Sequence, residues 1–167
     1  FQWASTTSTR DSFWSADGSR TYAVSSSNSS NSWPGEIDYD GSNSISSGKA
    51  KQNFTVSVSQ NTWTIVSTSF NKTGNEIFGR INGSQASAGD PYTNSMNTTA
   101  DFRLMRNRAS VELAGKTAEF FWVAGPTGTG GTDISNVEKA EGYIAWKWGL
   151  QGNLPVSHPY KNAAPTT

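Results

Sequence analysis

Only one stretch of this chain carries a helical period, and it comes late, over residues 135–149, SNVEKAEGYIAWKWG. Val137, Ala140, Ile144 and Trp148 recur there at spacings of three and four and make one apolar stripe. Trp148 is therefore expected in the core. Ser135 and Glu138 have the spacing of a capping box, in which two side chains satisfy free backbone donors of the first turn. Gly149 stands where a left-handed C-terminal cap belongs. Gly142, inside the stretch, lowers helix propensity, so a close neighbour is expected against it.

Everything ahead of that helix reads as short strands between polar turns. SFWSADGSRTYAVS is two strand pieces around Asp17-Gly18, a hairpin signal. GEIDYDG alternates Glu36, Asp38 and Asp40 with Ile37 and Tyr39, the period of a half-buried strand. FTVSVS puts Phe54, Val56 and Val58 on one face, and TWTIVSTSF is rich in β-branched and aromatic residues. EIFGRINGS ends in Asn82-Gly83, which suits a two-residue turn with positive φ at both positions. DFRLMR and SVELAGKTAEFFWVAG follow as strands. SSSNSSNSWPG and GSQASAGDPYTNSMNTT read as loops and GPTGTGG as a linker.

At 167 residues the chain is expected to form one domain, 1–167. Aromatics make up 12 % of the chain against 34 % for all hydrophobic residues, so the core rests on a few large rings. Such a pattern predicts an all-β, antiparallel sandwich, with the helix laid on a sheet edge or across one end. Lys plus Arg and Asp plus Glu are 13 each, which leaves no electrostatic footprint for nucleic acid or an anionic membrane. There is no cysteine, so disulfides and thiolate metal sites are excluded, and a prokaryotic or viral source fits better than a secreted eukaryotic one. No run approaches the ~20 apolar residues of a membrane span. A start at Phe1 reads as a processed or excised piece. Five N-x-S/T tripeptides, at Asn28, Asn53, Asn71, Asn82 and Asn97, arise readily by chance in so Ser/Thr/Asn-rich a sequence.

The chain ends EGYIAWKWGLQGNLPVSHPYKNAAPTT. Glu141-Gly142-Tyr143-Ile144-Ala145, Lys147-Trp148-Gly149-Leu150, Leu154-Pro155 and His158-Pro159-Tyr160 together resemble the closing signature of concanavalin-A-like, laminin-G-like jelly-roll domains. That signature is a helix ending E-G-Y-L-A-x-K-W-G followed by L-P-x-x-H-P-Y. Upstream, residues 63–70 resemble the family's W-x-x-V strand, Asn82-Gly83 its V-N-G turn, and residues 116–123, with Ala118-Glu119, its G-x-I-A-E strand. The resemblance covers roughly 61–167, which implies a fold shortened at its N-terminal end or completed by a neighbour. It implies an antiparallel jelly-roll β-sandwich with one C-terminal helix. It also implies a setting on phage virions or bacterial surfaces, extracellular in either case, with copies oligomeric or arrayed. Trp148, Leu150, Leu154, Pro155 and Tyr160 are then expected to clamp the exit path to the sandwich, with proline stiffening it.

Several residues are candidates for chemistry. Glu36 and Asp38 fit the first two carboxylates of the E-x-D-x-x-E arrangement of glucanases sharing this sandwich, but the third place is Gly41. A glycosidase needs two carboxylates across a cleft, and no second wall is apparent. His158 is the only histidine, and no Ser-His-Asp or His-metal constellation assembles around it. Asp38, Asp40, Asn43, Asp90 and Asp133 can hold calcium with backbone carbonyls, or can simply be solvated turn residues. Trp33 in NSWPG and Tyr92 in GDPYTN, with Asn94 beside it, can stack on a sugar while polar neighbours bind its hydroxyls, or can fold back on the rim. GPTGTGGTD lacks the lysine of a phosphate loop. The expected function is a non-catalytic carbohydrate-binding or adhesion module of a virion or bacterial surface. The alternative is an architectural module that binds neighbouring virion proteins and no sugar.

Overall fold

The computed structural model describes residues 1–5, 12–16, 22–25, 36–39, 51–53, 58–71, 76–85, 90–91, 102–104, 114–121 and 134–166. Side chains are described for 1–2, 58–68, 79–85, 104, 114–121 and 134–166.

Among the described residues there are eleven short strands: β1 (Gln2–Ser5), β2 (Ser12–Ala16), β3 (Tyr22–Ser25), β4 (Glu36–Tyr39), β5 (Lys51–Asn53), β6 (Val66–Asn71), β7 (Glu76–Ile81), β8 (Ser84–Gln85), β9 (Asp90–Pro91), β10 (Phe102–Leu104) and β11 (Ala114–Lys116). They form a five-stranded sheet in the order β10-β2-β3-β4-β5, a pair β1-β11, and a sheet built on β7, which holds β6 on one edge and β8 and β9 on the other. Every pairing among them is antiparallel. β7 also approaches β4 and β5 of the larger sheet.

β2 and β3 pair from Ala16↔Tyr22 outward, on either side of Asp17-Gly18. Asn82 and Gly83 join β7 to β8 with φ of 49° and 79°, the two positive values of a type I′ turn. Phe54 and Val56, expected on one strand face, follow β5 and lie outside the described residues. Two local expectations shift. Residues 63–65 precede β6 and pair elsewhere. Phe1 and Thr64 exchange two backbone hydrogen bonds, the Ile65 carbonyl accepts from the Asn82 backbone N–H while the Ile65 N–H donates to the Asn82 side-chain Oδ1, and Asn153 Nδ2 donates to Trp63 O. Residues 117–121 leave β11 and run as coil, which carries Glu119 to the helix.

The helix α1 spans Ile134–Lys147 and starts one residue ahead of the expected cap, so Ser135 lies within it. Glu138 sits 3.6 Å from Arg80 Nη2. The helix stops at Gly149, whose φ of 69° lets the Leu150 N–H turn back 2.7 Å to the Ala145 carbonyl. That bond is the outer one of a Schellman cap. The buried face is Val137, Glu141, Gly142 and Ala145, rotated from the expected stripe. Trp148 is 46 % exposed, a correction to the core role expected of it. It lies past the last helical residue, where the chain turns away toward the 3-10 turn Gln151–Asn153.

Ile65, Ala145 and Leu154 form the buried centre, with Ile144 and Leu150 packed on it. Thus the segment just ahead of β6 meets the helix and the exit segment around one apolar point. A Cβ on Gly142 would lie 2.6 Å from Tyr160 Cβ, so the expected close neighbour is Tyr160. A Cβ on Gly83 would strike His158 Cδ2 at 2.7 Å, because the exit segment lies over the β7–β8 turn.

Candidate functional site

Two clusters of polar chemistry flank α1, one sealed and one open. The sealed cluster centres on Glu141, which lies four residues from both Val137 and Ala145 on the buried face and is 1 % exposed. A carboxylate so deep needs partners on both oxygens. Arg80 Nε donates at 2.9 Å to Oε1 and 3.2 Å to Oε2. Ser67 Oγ donates to Oε1, and His158 Nε2 lies 3.2 Å from Oε2. Arg80 also donates through Nη2 to the Gly83 carbonyl. The four side chains come from β6, β7, α1 and the exit segment.

The direction of each bond fixes what the cluster can do. The Tyr160 backbone N–H donates to His158 Nδ1 at 3.2 Å, so Nδ1 presents its lone pair. The ring proton then sits on Nε2 and points at Glu141. In nucleophilic catalysis the histidine stands between hydroxyl and carboxylate and takes the hydroxyl proton. Here the carboxylate stands between Ser67 and His158, and both donate to it. The arrangement is that of a buried anion held by three donors, a structural joint. Lys161 extends it: Nζ donates to the carbonyls of Gln151, Gly152 and Leu154 at 3.0, 2.7 and 2.7 Å, which uses all three of its N–H bonds.

The open cluster lies at the C-terminal end of α1. Tyr143 and Lys147 are one turn apart on the same face. Lys147 Nζ donates to the Tyr143 hydroxyl and to Glu119 Oε1, each at 2.9 Å. Trp148 Nε1 donates to Glu119 Oε2 at 2.8 Å. The Lys147 ammonium lies 5.1 Å from the Tyr143 ring centre and 5.9 Å from the Trp148 ring centre. Phe121 meets Tyr143 edge-on, centres 6.4 Å apart. The Trp148 N–H, and then Lys147, lower the Glu119 carboxyl below its ordinary value; the Tyr143 hydroxyl and Glu119 raise Lys147 above its own.

Of the residues the sequence singles out, Asp38 lies in β4 opposite Ala23 and Lys51, and Asp90 lies in β9 opposite Ile77. Asp90 was expected in a loop; the edge position suits Pro91 after it, which has no N–H to donate. Their side chains, and Trp33, Asp40, Asn43, Tyr92, Asn94 and Asp133 entirely, lie outside the described residues. Among the described residues no group of three or more His, Cys, Asp or Glu side chains could hold a metal ion. No helix among them is long and apolar enough to cross a membrane.

Sequence reasoning missed both clusters. A signal for the first was a carboxylate at the centre of the Val137, Glu141, Ala145 spacing. For the second it was Tyr143 and Lys147 one turn apart, off that face.

No protein-family model matches this chain, and neither a curated protein nor a solved structure matches it.

Proposed function

We propose that the chain is a non-catalytic carbohydrate-binding or adhesion module with a concanavalin-A-like jelly-roll fold, carried in many copies on a phage particle or a bacterial surface. The observation that supports this reading is the open aromatic cluster at the C-terminal end of α1. Tyr143 and Trp148 are 45 % and 46 % exposed, and Phe121 beside them is 38 % exposed. Rings left in water on a chain that spends its apolar content on aromatics fit a binding surface better than a core. The neutral charge balance removes electrostatic steering as the main source of attachment. The closing signature of the sequence supports the fold and the setting by resemblance.

A shallow site on one domain binds weakly, and arraying copies raises avidity by about 10²–10⁴ where geometry permits. The test compares the isolated domain with a streptavidin-arrayed form on bacterial cells and purified polysaccharides. The arrayed form is retained and the single domain is not. An arrayed form that is retained nowhere sinks the adhesion reading and leaves the architectural one, in which the domain binds only neighbouring protein.

A further inference from the structure

We infer that the surface formed by Glu119, Phe121, Tyr143, Lys147 and Trp148 is a subsite for one uncharged pyranose unit, which stacks on an exposed ring and bonds its hydroxyls to the Lys147–Glu119 pair. This rests on the adhesion reading and specifies its site and ligand class.

The bland alternative is a solvated helix end with a surface ion pair, which contributes little to stability. Three features distinguish this surface. First, of the seven large apolar side chains exposed among the described residues, Phe121, Tyr143 and Trp148 gather here. Second, their orientation is fixed before any ligand arrives. Trp148 is tied to Glu119 through its indole N–H, and Tyr143 to Lys147 through its hydroxyl and to Phe121 through its ring edge. Binding to groups already immobilised loses little side-chain freedom.

Third, the remaining hydrogen-bond capacity is mixed in sign. Lys147 has three N–H bonds and uses two, so one stays available. The Tyr143 hydroxyl accepts from Lys147 and turns its own proton toward Glu119, whose carboxyl it helps to lower. Glu119 takes Lys147 on one oxygen and Trp148 on the other, and its two oxygens together keep lone-pair capacity to accept a further hydroxyl. A donor and an acceptor side by side match a pair of neighbouring sugar hydroxyls, each of which can donate and accept.

Charge selects among sugars. The Lys147 cation is already matched by Glu119 at 2.9 Å, so the patch has no spare positive charge. A uronate or sialate carboxylate would approach the Glu119 carboxylate without a cation to offset the repulsion. A neutral pyranose meets no such penalty and still covers the ring with its C–H face.

The experiment uses the whole chain arrayed on streptavidin, with dextran and galactomannan as uncharged probes and alginate as the charged one, alongside bacterial cells. Retention on an uncharged polymer is expected. Trp148→Ala and Tyr143→Ala should each weaken it at least tenfold while unfolding stays cooperative. To separate binding from folding, the Trp148 indole N–H resonance of the unaltered protein is followed while oligosaccharide cut from the retained polymer is added. It should move. If both variants are retained as well as the parent, or the resonance stays still, the subsite is wrong and the adhesion reading survives. Retention on alginate or cells but on neither neutral polymer overturns the uncharged ligand. No retention of the parent on anything overturns subsite and adhesion reading together.

Discussion

Arg80 holds both carboxylate oxygens of Glu141 through a single nitrogen, Nε, at 2.9 and 3.2 Å, with both side chains out of water. The pair is separated by 61 residues of sequence and ties β7 to the helix. Ser67 and His158 complete the carboxylate's shell from two further elements.

Arg80→Leu leaves a buried anion without its cation. It is expected to cost about 3–5 kcal/mol in urea denaturation. Adding Glu141→Leu removes the orphaned charge and should recover part of that loss. A single-variant cost below about 1 kcal/mol would show that the joint is open to water.

Gly142→Ala improves helix propensity by up to about 1 kcal/mol, yet its methyl meets Tyr160 Cβ at 2.6 Å. Overpacking should win and destabilise by about 1–3 kcal/mol. In a Tyr160→Gly background, where that carbon is gone, the same change should become neutral or stabilising. The same loss in both backgrounds would reject the contact.

Lys161→Met keeps most of the side-chain length and removes three bonds to carbonyls. Hydrogen bonds to a charged group contribute about 1.5–3 kcal/mol, so a loss of that order is expected. Thermal unfolding measures it, and an unchanged midpoint would mean that water replaces the ammonium at no cost.

Trp148 gives a prediction in two parts. Its half-exposed ring makes Trp148→Ala cost about 1–2 kcal/mol, against the 3–5 of a fully buried tryptophan. Its indole N–H also reports on Glu119. That carboxyl is held below its ordinary 4.5 first by Trp148 and then by Lys147. A lowered folded value means that the contact stabilises above 4.5 and is lost as pH falls through the lower value. The Trp148 indole resonance should therefore titrate with a midpoint below 4.5, and should not titrate with Glu119→Gln. A midpoint at or above 4.5 would contradict the bond.

The helix could be read from sequence because its period, its glycine stop and its Gly142 anomaly are local properties. Asn82-Gly83 was legible for the same reason, since two adjacent residues with positive φ define the turn. The role of Trp148 was not. Its spacing fits the stripe, but the chain leaves the helix at Lys147, and a period says nothing about the residue after the last turn. The Arg80–Glu141 pair was hidden because a buried charge looks like a surface charge until the strand facing it is known. Coil residues 117–121 read as strand by composition, because a run of apolar side chains does not reveal whether its backbone finds a partner.

The joint around Glu141 also sets an order of events during synthesis. Ser67 and Arg80 leave the ribosome well ahead of Glu141, and His158 follows it. At about 5–20 residues per second, Arg80 waits several seconds for the carboxylate that neutralises it. Until then β6 and β7 expose a cation in a surface meant to be dry, and the exit segment that shields the Asn82-Gly83 turn does not yet exist. This half of the chain is thus bound to stay open to proteases during translation and to close in one late step. Released chains truncated before Glu141 should be cut readily in β6–β7, and those that include Lys161 should resist.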